Sequence, residues 1–439
     1  MIGLHNGKLK HVIFLGAGAS QSSGYPIGQD LRLLISSQTH LQEKLTKLFQ
    51  REFPTNFLLD FFESIKLFRY GGFATVDEFS KLASESYPEH VQKMKILVRL
   101  VLALDNPENN FQNSDYYPFI QRLFRKDEMI HFRNEISIIS FNYDCYLDFL
   151  LRQAYSHRTC LSKITDNVKN NPLVLKGPQE DIMDPWSAKL STGFYEQHCK
   201  KELAWRLDQF NYFKLHGSMS YGNDPTSGYK VLFRPGNLER FGHLATDHFQ
   251  KIVPPIVFPW ELFTNEGEFI PEDEFIYVKG ERDPQKQLDG RQLFKHFNLM
   301  WKNAKLVVEN ANKISFVGLS MHDYLKSGFN FLFKDFGKFS ESKQKLAERG
   351  IRDTSFTPVE VVVANTDNEN YKNAETTSHP NSPCGKVLEF LVKNVPNLNY
   401  LRSSSEFDGI LKDNPGSSVD VGITPRYSFS EFIQREMGQ

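Results

Sequence analysis

Five short segments of the sequence place chemically versatile side chains beside small residues. They are Gly16–Ser20, Asn142–Asp144, His216–Ser218, Gly318–Asp323 and Asn365–Asp367. An imidazole transfers protons near neutral pH, an amide both donates and accepts hydrogen bonds, and glycines let a backbone approach a phosphate closely. If the fold brings the segments together, they predict a polar ligand site that combines anion binding with proton transfer.

Each segment follows a short apolar run that predicts a strand. The runs are Val12–Leu15, Ile136–Phe141, Phe210–Leu215, Ile314–Val317 and Val359–Ala364. Helical patterns separate them, and strands that alternate with helices favour an α/β fold with a mostly parallel sheet of the Rossmann-like kind. Open sheets of this kind bind ligands at the carboxyl ends of their strands. The five polar segments are therefore expected along one edge.

The first strand and its glycine turn form an incomplete dinucleotide fingerprint. Gly16 and Gly18 have the expected spacing, but Gln21 stands where the third glycine would be. No acidic residue closes a second strand about 20 residues on, which disfavours an ordinary dehydrogenase. A helix is predicted from Ile27, because apolar residues recur there at helical spacing. Two interpretations of the turn stay open, a nucleotide site and a tight structural turn.

The remaining chain divides into three parts. Residues 41–133 predict a helical insertion, with Glu89–Leu104 as one of its helices, that packs over or gates the site. A long amphipathic helix is expected over about Leu288–Asn312, in which Trp301 is interpreted as core packing. Residues 368–439 read as a polar linker and C-terminal tail, apart from a short helix near Val387.

Composition excludes several classes of protein. Lys and Arg number 52 against 53 Asp and Glu, so direct nucleic-acid binding is not indicated. No signal peptide or transmembrane run is evident, and a cytoplasmic location is expected. The four cysteines form no C-x-x-C pair, so isolated thiols are expected and no metal site. The four cysteines are Cys145, Cys160, Cys199 and Cys384.

The order of the motifs resembles the SIR2 (sirtuin-like) family, most closely its bacterial anti-phage branch of NAD-hydrolysing proteins. The resemblance rests on GAGAS with Gly24-Tyr25-Pro26, then FNYD, KLHGS and GLSMHD, and a last strand that ends in Asn365. The resemblance covers roughly residues 10–367, and residues 1–367 are expected to form one SIR2-like NAD-binding domain that contains the helical insertion.

The resemblance implies a role for each matching residue. Residues of the glycine turns and their surroundings are implied to bind NAD+: Gly16, Ala17, Gly18, Ser20, Pro26, Gly318, Ser320, Asp323 and Asn365. Asn142, Asp144 and His216 are implied to be catalytic.

The residues themselves suit those roles. His216 suits a general base toward a ribose hydroxyl or water, Asn142 can orient the ribose or a water, and Asp144 can stabilise a cation or position the nicotinamide amide. An alternative for Asp144 is a helix N-cap, and for His216 a hydrogen-bonded core imidazole. His322 is interpreted as a solvated loop residue.

One departure from the family pattern bears on the activity. Protein-deacylating sirtuins carry two C-x-x-C pairs in a zinc module, whereas residues 217–317 contain no cysteine. We therefore expect no zinc and no cofactor beyond NAD+ as substrate. Cleavage of NAD+ to nicotinamide and ADP-ribose is favoured over the alternatives, a regulatory module that binds NAD or ADP-ribose without turnover and an NAD-dependent protein deacylase.

A permanently active NAD+ hydrolase would harm its own cell. Control by homo-oligomer assembly or by a partner protein encoded nearby, such as an ATPase, a nuclease or a sensor, is therefore expected. The helical insertion or the residues beyond 386 are the predicted contact surface. The resemblance implies that such an NAD-depleting effector acts in abortive infection, an antiviral defence.

Overall fold

A computed structural model describes the parts of the chain that form the sheet and the helices packed on it. The described residues are 11–37, 39, 41, 61–104, 114–123, 133, 135–144, 146–147, 210–218, 256–311, 313–334, 360–364, 387, 390, 420–422 and 429–437.

The described strands form one parallel sheet. They are β1 (His11–Leu15), β2 (Ile136–Ser140), β3 (Asn211–Lys214), β4 (Lys313–Val317), β5 (Glu360–Ala364) and β6 (Asp420–Gly422). Their order is β3-β2-β1-β4-β5-β6, and each neighbouring pair runs parallel. This is the strand order of the doubly wound Rossmann-like layout. The prediction of an α/β fold with a mostly parallel sheet is confirmed.

The described helices lie between the strands and after the last one. They are α1 (Gly28–Ser36), α2 (Phe62–Tyr70), α3 (Val76–Ala83), α4 (Pro88–Leu104), α5 (Tyr116–Leu123), α6 (Pro284–Glu309), α7 (Asp323–Phe333) and α8 (Phe429–Glu436). Short 3₁₀ segments occur at Ala17–Ser23, Pro259–Glu261 and Glu272–Glu274. We call α2–α5 the helical block.

Helix α6 begins four residues before the predicted start and ends three before the predicted end. The side chain of Asp283 caps it by accepting from the backbone N–H groups of Gln285 and Lys286. Pro284 occupies the first helical position, where its missing N–H costs nothing. The polar first turn adds no apolar residue to the periodic pattern, and the pattern alone therefore places the start too late.

Strand β1 divides the core because its side chains alternate between two faces. Ile13 and Leu15 join a buried cluster with α1, the helical block and α8, whereas Val12 and Phe14 join a second cluster with α6 and α7. Because both faces of β1 are buried, its residues Val12–Leu15 form a continuous apolar run rather than an alternating one. Trp301 is fully buried in the second cluster, so its interpretation as core packing is confirmed.

Two described elements lie in the part predicted as linker and tail. Strand β6 pairs with β5, and α8 packs against α5 through ring contacts of Phe429 with Tyr116 and Phe119. Phe432 and Ile433 of α8 are buried in the same cluster as Ile13. The end of the chain therefore contributes to the core on the face that carries the helical block.

Candidate active site

The two glycine turns predicted as ligand-binding lie against each other at the carboxyl ends of β1 and β4. The backbone N–H of Gly16 donates to the carbonyl of Val317 at 3.0 Å, and that of Gly18 donates to the carbonyl of Gly318 at 2.9 Å. A Cβ on Gly16 would lie 2.5 Å from the Gly318 oxygen. Close packing between the turns is therefore one reason for these glycines, and both amide hydrogens are engaged within the protein.

Gly318 adopts a left-handed backbone conformation with φ of 60°. A Cβ at this position would collide with the backbone nitrogen of Ala19. Ala17 is exposed and Gly18 half-buried, so the first turn keeps a face open to a ligand while its other face packs on Gly318.

The Ser20 hydroxyl, in the turn after β1, forms buried hydrogen bonds with residues that follow β2. Its Oγ donates to Asp144 Oδ2 at 2.9 Å and accepts from Asn142 Nδ2 at 3.0 Å. Tyr116 of α5 lies 3.0 Å from the same oxygen. Since the single hydroxyl hydrogen is used on the carboxylate, Tyr116 is the donor in that contact. Ser20 is thus saturated and positions Asn142 rather than facing a ligand.

The orientation of Asn142 follows from this network. Its Nδ2 donates to Ser20, which leaves its Oδ1 facing elsewhere, and Oδ1 is buried without a hydrogen-bond partner among the described residues. An unpaired buried acceptor is costly, and native proteins pair such atoms with protein, water or ligand. Asn142 therefore presents an acceptor to whatever fills the site.

Asp144 is bonded on both carboxylate oxygens. Oδ2 accepts from Ser20, and Oδ1 accepts from the backbone N–H of Tyr146 at 3.0 Å. The second contact is that of a helix N-cap. Lys214 Nζ donates to the Asp144 carbonyl. Of the two interpretations of Asp144 that the sequence left open, the geometry favours the structural one.

His216 follows β3 in a tight turn that is held at three points. Gly217 has φ of 78°, the Val257 N–H donates to the His216 carbonyl at 3.1 Å, and Trp301 Nε1 donates to the Leu215 carbonyl at 3.2 Å. The imidazole is 2% exposed, and its ring stacks on Tyr143 with centroids 5.4 Å apart. Backbone and ring positions of His216 are therefore both fixed.

The protonation of His216 is set from the helical block. Tyr143 Oη donates to Asp77 Oδ1 on α3 at 3.0 Å, and His216 Nδ1 lies 3.2 Å from the same Tyr143 oxygen. Because the Tyr143 hydroxyl donates its hydrogen to the Asp77 carboxylate, the Tyr143 oxygen accepts a hydrogen bond from His216 Nδ1–H. The tautomer assigned by this network leaves Nε2 with a lone pair, and Nε2 is buried without a partner among the described residues.

Burial and charge keep this imidazole neutral. Burial, together with the positive charge of Lys95, lowers the pKa of His216 to about 3. Burial raises the pKa of Asp77 to about 6, against the opposing hydrogen bond from Tyr143. Burial also raises the pKa of Tyr143 well above its ordinary value. Above pH 6 the site therefore holds a neutral imidazole, a phenol and a carboxylate in line.

A fully buried ion pair connects the helical block to the segment after β3. Lys95 Nζ on α4 donates to both oxygens of Glu261 at 2.6 Å and to Tyr277 Oη at 2.8 Å. Glu261 Oε2 also accepts from the Phe258 N–H at 2.7 Å. The pair holds α4 against residues 258–261, which lie directly after the Val257 contact with His216.

The other predicted site residues lie further from this centre. Pro26 and Ser320 are half-buried, and His322 and Asp323 are exposed, as the interpretation of His322 as a loop residue requires. Asp323 begins α7 and pairs with Lys326 at 2.6 Å on the surface. Asn365 lies outside the described residues.

Sequence reasoning missed the contributions of the helical block. Asp77 and Tyr116 each reach a residue that follows a strand far away in the sequence. Lys95 reaches Glu261 in the 3₁₀ segment Pro259–Glu261. A local signal marked the position of Asp77, because Thr75 caps α3 by accepting from the Glu78 N–H in the Ser/Thr-x-x-Glu pattern of helix starts. The tyrosine of FNYD was a second available signal.

In comparisons with known proteins, no family model and no curated protein matches this chain. In the described part, no helix is long and apolar enough to cross a membrane. Among the same residues, no group of three or more His, Cys, Asp or Glu side chains is arranged to hold a metal ion.

The geometry presents two buried acceptors on neighbouring strand ends. Asn142 and His216 each follow, by two residues, a register pair of β2 and β3, Ser140 with Lys214. Phe141 and Tyr143, which flank Asn142, both contact the His216 ring. A ligand that satisfies Oδ1 and Nε2 must donate hydrogen bonds, as a sugar diol or a water does.

Proposed function

We propose that the chain hydrolyses NAD+ at the nicotinamide–ribose bond and releases nicotinamide and ADP-ribose. The observation that carries the proposal is a pair of buried acceptors, Asn142 Oδ1 and His216 Nε2, that lie on adjacent strand ends and have no hydrogen-bond partner among the described residues. The hydroxyls of a ribose, or a ribose hydroxyl and a water, are donors of the kind these atoms lack. The motif order that resembles the SIR2 family supports the same substrate.

Cleavage of the nicotinamide–ribose bond does not require the protein to supply a strong acid. Nicotinamide leaves as a neutral molecule, and positive charge develops on the ribose as in other glycosyl cleavages. What the reaction needs is a fixed ribose, a positioned water and an acceptor for the proton that this water loses. In this proposal Asn142 holds the ribose through a hydrogen bond to its Oδ1, and His216 accepts the proton of the water at Nε2.

The glycine turns of β1 and β4 would hold the diphosphate and adenosine side of NAD+ on their exposed face. Ala17 and Gly18 lie on that face at the start of the 3₁₀ segment. Ser320 and Asp323 follow the second turn. In this proposal the fold is of the SIR2 type without a zinc module, and Ser20 serves as a positioning residue for Asn142.

The cellular role proposed here is that of an NAD-depleting effector controlled by self-assembly or by a partner protein. It rests on the resemblance and on the reasoning that uncontrolled NAD+ loss is toxic. The helical block supplies Asp77, Lys95 and Tyr116 to the site surroundings. A partner that shifts this block would therefore change the site directly.

The test is incubation of the full chain with NAD+, alone and with the products of neighbouring genes, followed by chromatography for nicotinamide and ADP-ribose. Replacement of His216 by Gln is expected to lower turnover at least 100-fold, within the usual range for a general base. Replacement of Asn142 by Ala should also lower turnover, because the ribose is then no longer held. His322→Gln, at an exposed position, is the matched control and should retain activity. Tight NAD+ binding without nicotinamide release under either condition would contradict hydrolysis and favour a binding module.

A further inference from the structure

Three polar groups stand in a line that leads away from the ligand side of His216. Nδ1 lies 3.2 Å from Tyr143 Oη, and Tyr143 Oη lies 3.0 Å from Asp77 Oδ1. The proposed base atom, Nε2, is at the opposite edge of the imidazole. A proton taken up at Nε2 therefore has a continuous hydrogen-bonded path to the carboxylate on α3.

We propose that Tyr143 and Asp77 form a proton relay behind His216, in which Asp77 is the final acceptor of the proton released by hydrolysis. The inference rests on the proposed function, since NAD+ hydrolysis liberates one proton for each water consumed. Asp77 and Tyr143 do not touch the substrate in this scheme. They act through His216 as positioning and proton-accepting residues.

The transfer balances atom by atom. As the water oxygen bonds to the ribose carbon, the bond to nicotinamide breaks and its electron pair leaves with nicotinamide. The O–H bond of the water breaks, and its proton goes to His216 Nε2. The Nδ1 proton passes to the Tyr143 oxygen, and the Tyr143 hydroxyl proton passes to Asp77 Oδ1. Loss of that proton to solvent and reversal of the tautomer restore the site.

The relay resolves a difficulty with His216 as the lasting proton acceptor. Burial and the Lys95 charge oppose an imidazolium at this position, so a proton held on His216 alone would be unfavourable. Asp77 accepts a proton far more readily, with a pKa of about 6. Passing the charge onward thus neutralises a buried carboxylate instead of creating a buried cation.

Several charged groups surround Asp77 and set its affinity for the proton. Lys95 from α4 stabilises the carboxylate, whereas Glu261 from the 3₁₀ turn disfavours it. Tyr143 donates to it from the end of β2, and Tyr324 of α7 lies near enough to interact with its charge. Burial outweighs these contacts, and the carboxyl therefore titrates near the pH at which a general base is most useful.

The first test compares steady-state kinetics of four variants with those of the unmodified protein over pH 5–8. Asp77→Asn keeps the size of the side chain but takes up no proton, and Tyr143→Phe removes the connecting hydroxyl. Each is expected to lower kcat at least tenfold with KM for NAD+ within twofold of the unmodified protein. The acid limb of the kcat profile, near pH 6, should disappear in Asp77→Asn.

The double variant Asp77→Asn/Tyr143→Phe should be no worse than either single change, because each single change already breaks the path. Glu78→Gln is the matched control, a carboxyl-to-amide change on the same helix, and should retain both kcat and the acid limb. Unchanged kcat and an unchanged acid limb in Asp77→Asn, in a protein whose activity still depends on His216, would overturn the relay and leave the hydrolase proposal standing.

A second test needs no turnover. Nitrogen-15 NMR of labelled histidines, with His216→Gln to assign the signal, reports which ring nitrogen carries hydrogen. The relay requires a neutral ring protonated on Nδ1 at pH 7.5, and a change of tautomer as Asp77 takes up its proton near pH 6. A ring protonated on Nε2, or on both nitrogens, at pH 7.5 would overturn the relay. The expected tautomer in a protein that never consumes NAD+ would instead overturn the proposed function, and with it the relay's role in hydrolysis, while the hydrogen-bonded line from His216 to Asp77 would stand.

Discussion

The backbone N–H of Gly18 donates to the carbonyl of Gly318 at 2.9 Å and thereby joins the turns after β1 and β4. The contact lies between the two central strands, where the strand order reverses direction and where doubly wound folds bind their ligands. The glycines are thus needed for packing between the turns, whatever else they bind.

Gly318→Ala is therefore expected to destabilise the protein strongly. A left-handed conformation costs a non-glycine residue about 1–2 kcal/mol, and forced overpacking costs roughly 1–3 kcal/mol more. Gly72→Ala is the matched control, because Gly72 has a similar φ of 73° but open space around its Cβ position. Denaturant unfolding of both variants measures the difference, and equal losses would contradict the close contact between the turns.

The sequence correctly indicated the parallel sheet and the strand ends that carry Asn142 and His216. It could not indicate the strand order, since His11 pairs with Ile136 and Lys313 at large separations in the chain. The spacing of apolar residues indicates which face of a helix or strand is buried, but it does not indicate which other element packs on that face. The glycine spacing left open a nucleotide site and a tight structural turn, and it could not indicate that the Gly18 amide bonds to Gly318.

Ser20→Ala is expected to weaken both the fold and the site. The change leaves Asp144 Oδ2 and Asn142 Nδ2 without their bond to Ser20, and an unsatisfied buried polar group costs about 1–3 kcal/mol. Since Asn142 loses its fixed orientation, kcat should fall with it. Thermal unfolding and NAD+ turnover measure the two effects. Ser22→Ala, on the exposed side of the same 3₁₀ segment, should change neither.

The buried pair of Lys95 and Glu261 is expected to respond asymmetrically to mutation. Lys95→Met leaves a buried carboxylate without its cation, a loss of about 3–5 kcal/mol. Adding Glu261→Gln should recover most of this loss, since a neutral amide still accepts from the Phe258 N–H. A double-mutant cycle of unfolding free energies measures the coupling. Additive losses would show that the pair is not buried together as found here.

Stability is expected to fall in acid partly because of His11. Its Nε2 lies 2.8 Å from Ser315 Oγ, and burial, with the charges of Lys313 and Arg133, lowers its pKa to about 3. The unfolded chain binds this proton near pH 6.5 and the folded chain only near pH 3, so stability decreases as the pH falls between those values. The slope is at most about 1.4 kcal/mol per pH unit for one group.

His11→Gln should remove that part of the acid dependence. Unfolding free energies from pH 7 to pH 4 would then decline less steeply in the variant than in the unmodified protein, where His216 contributes in the same direction. A steep decline that persists in His11→Gln would assign the acid sensitivity to other groups.

The surroundings of the site were less predictable than its centre. Asp77 contacts Tyr143 across 66 residues, and Tyr116 contacts Ser20 across 96. Helical periodicity placed α4 and predicted a helical insertion, but it does not tell which polar residue of a helix reaches a strand end. Strand β6 has only three residues, too few for an alternating pattern to be recognised.

The central place of β1 in the sheet has a consequence for synthesis of the protein. Ribosomes add roughly 5–20 residues per second, so the first described strand waits roughly 6–25 s before Ile136, its first partner, has been made. Gly318 follows later still, and until then the Gly18 amide has no acceptor. Chains interrupted before the last third would therefore carry Asn142 and His216 without a finished glycine turn.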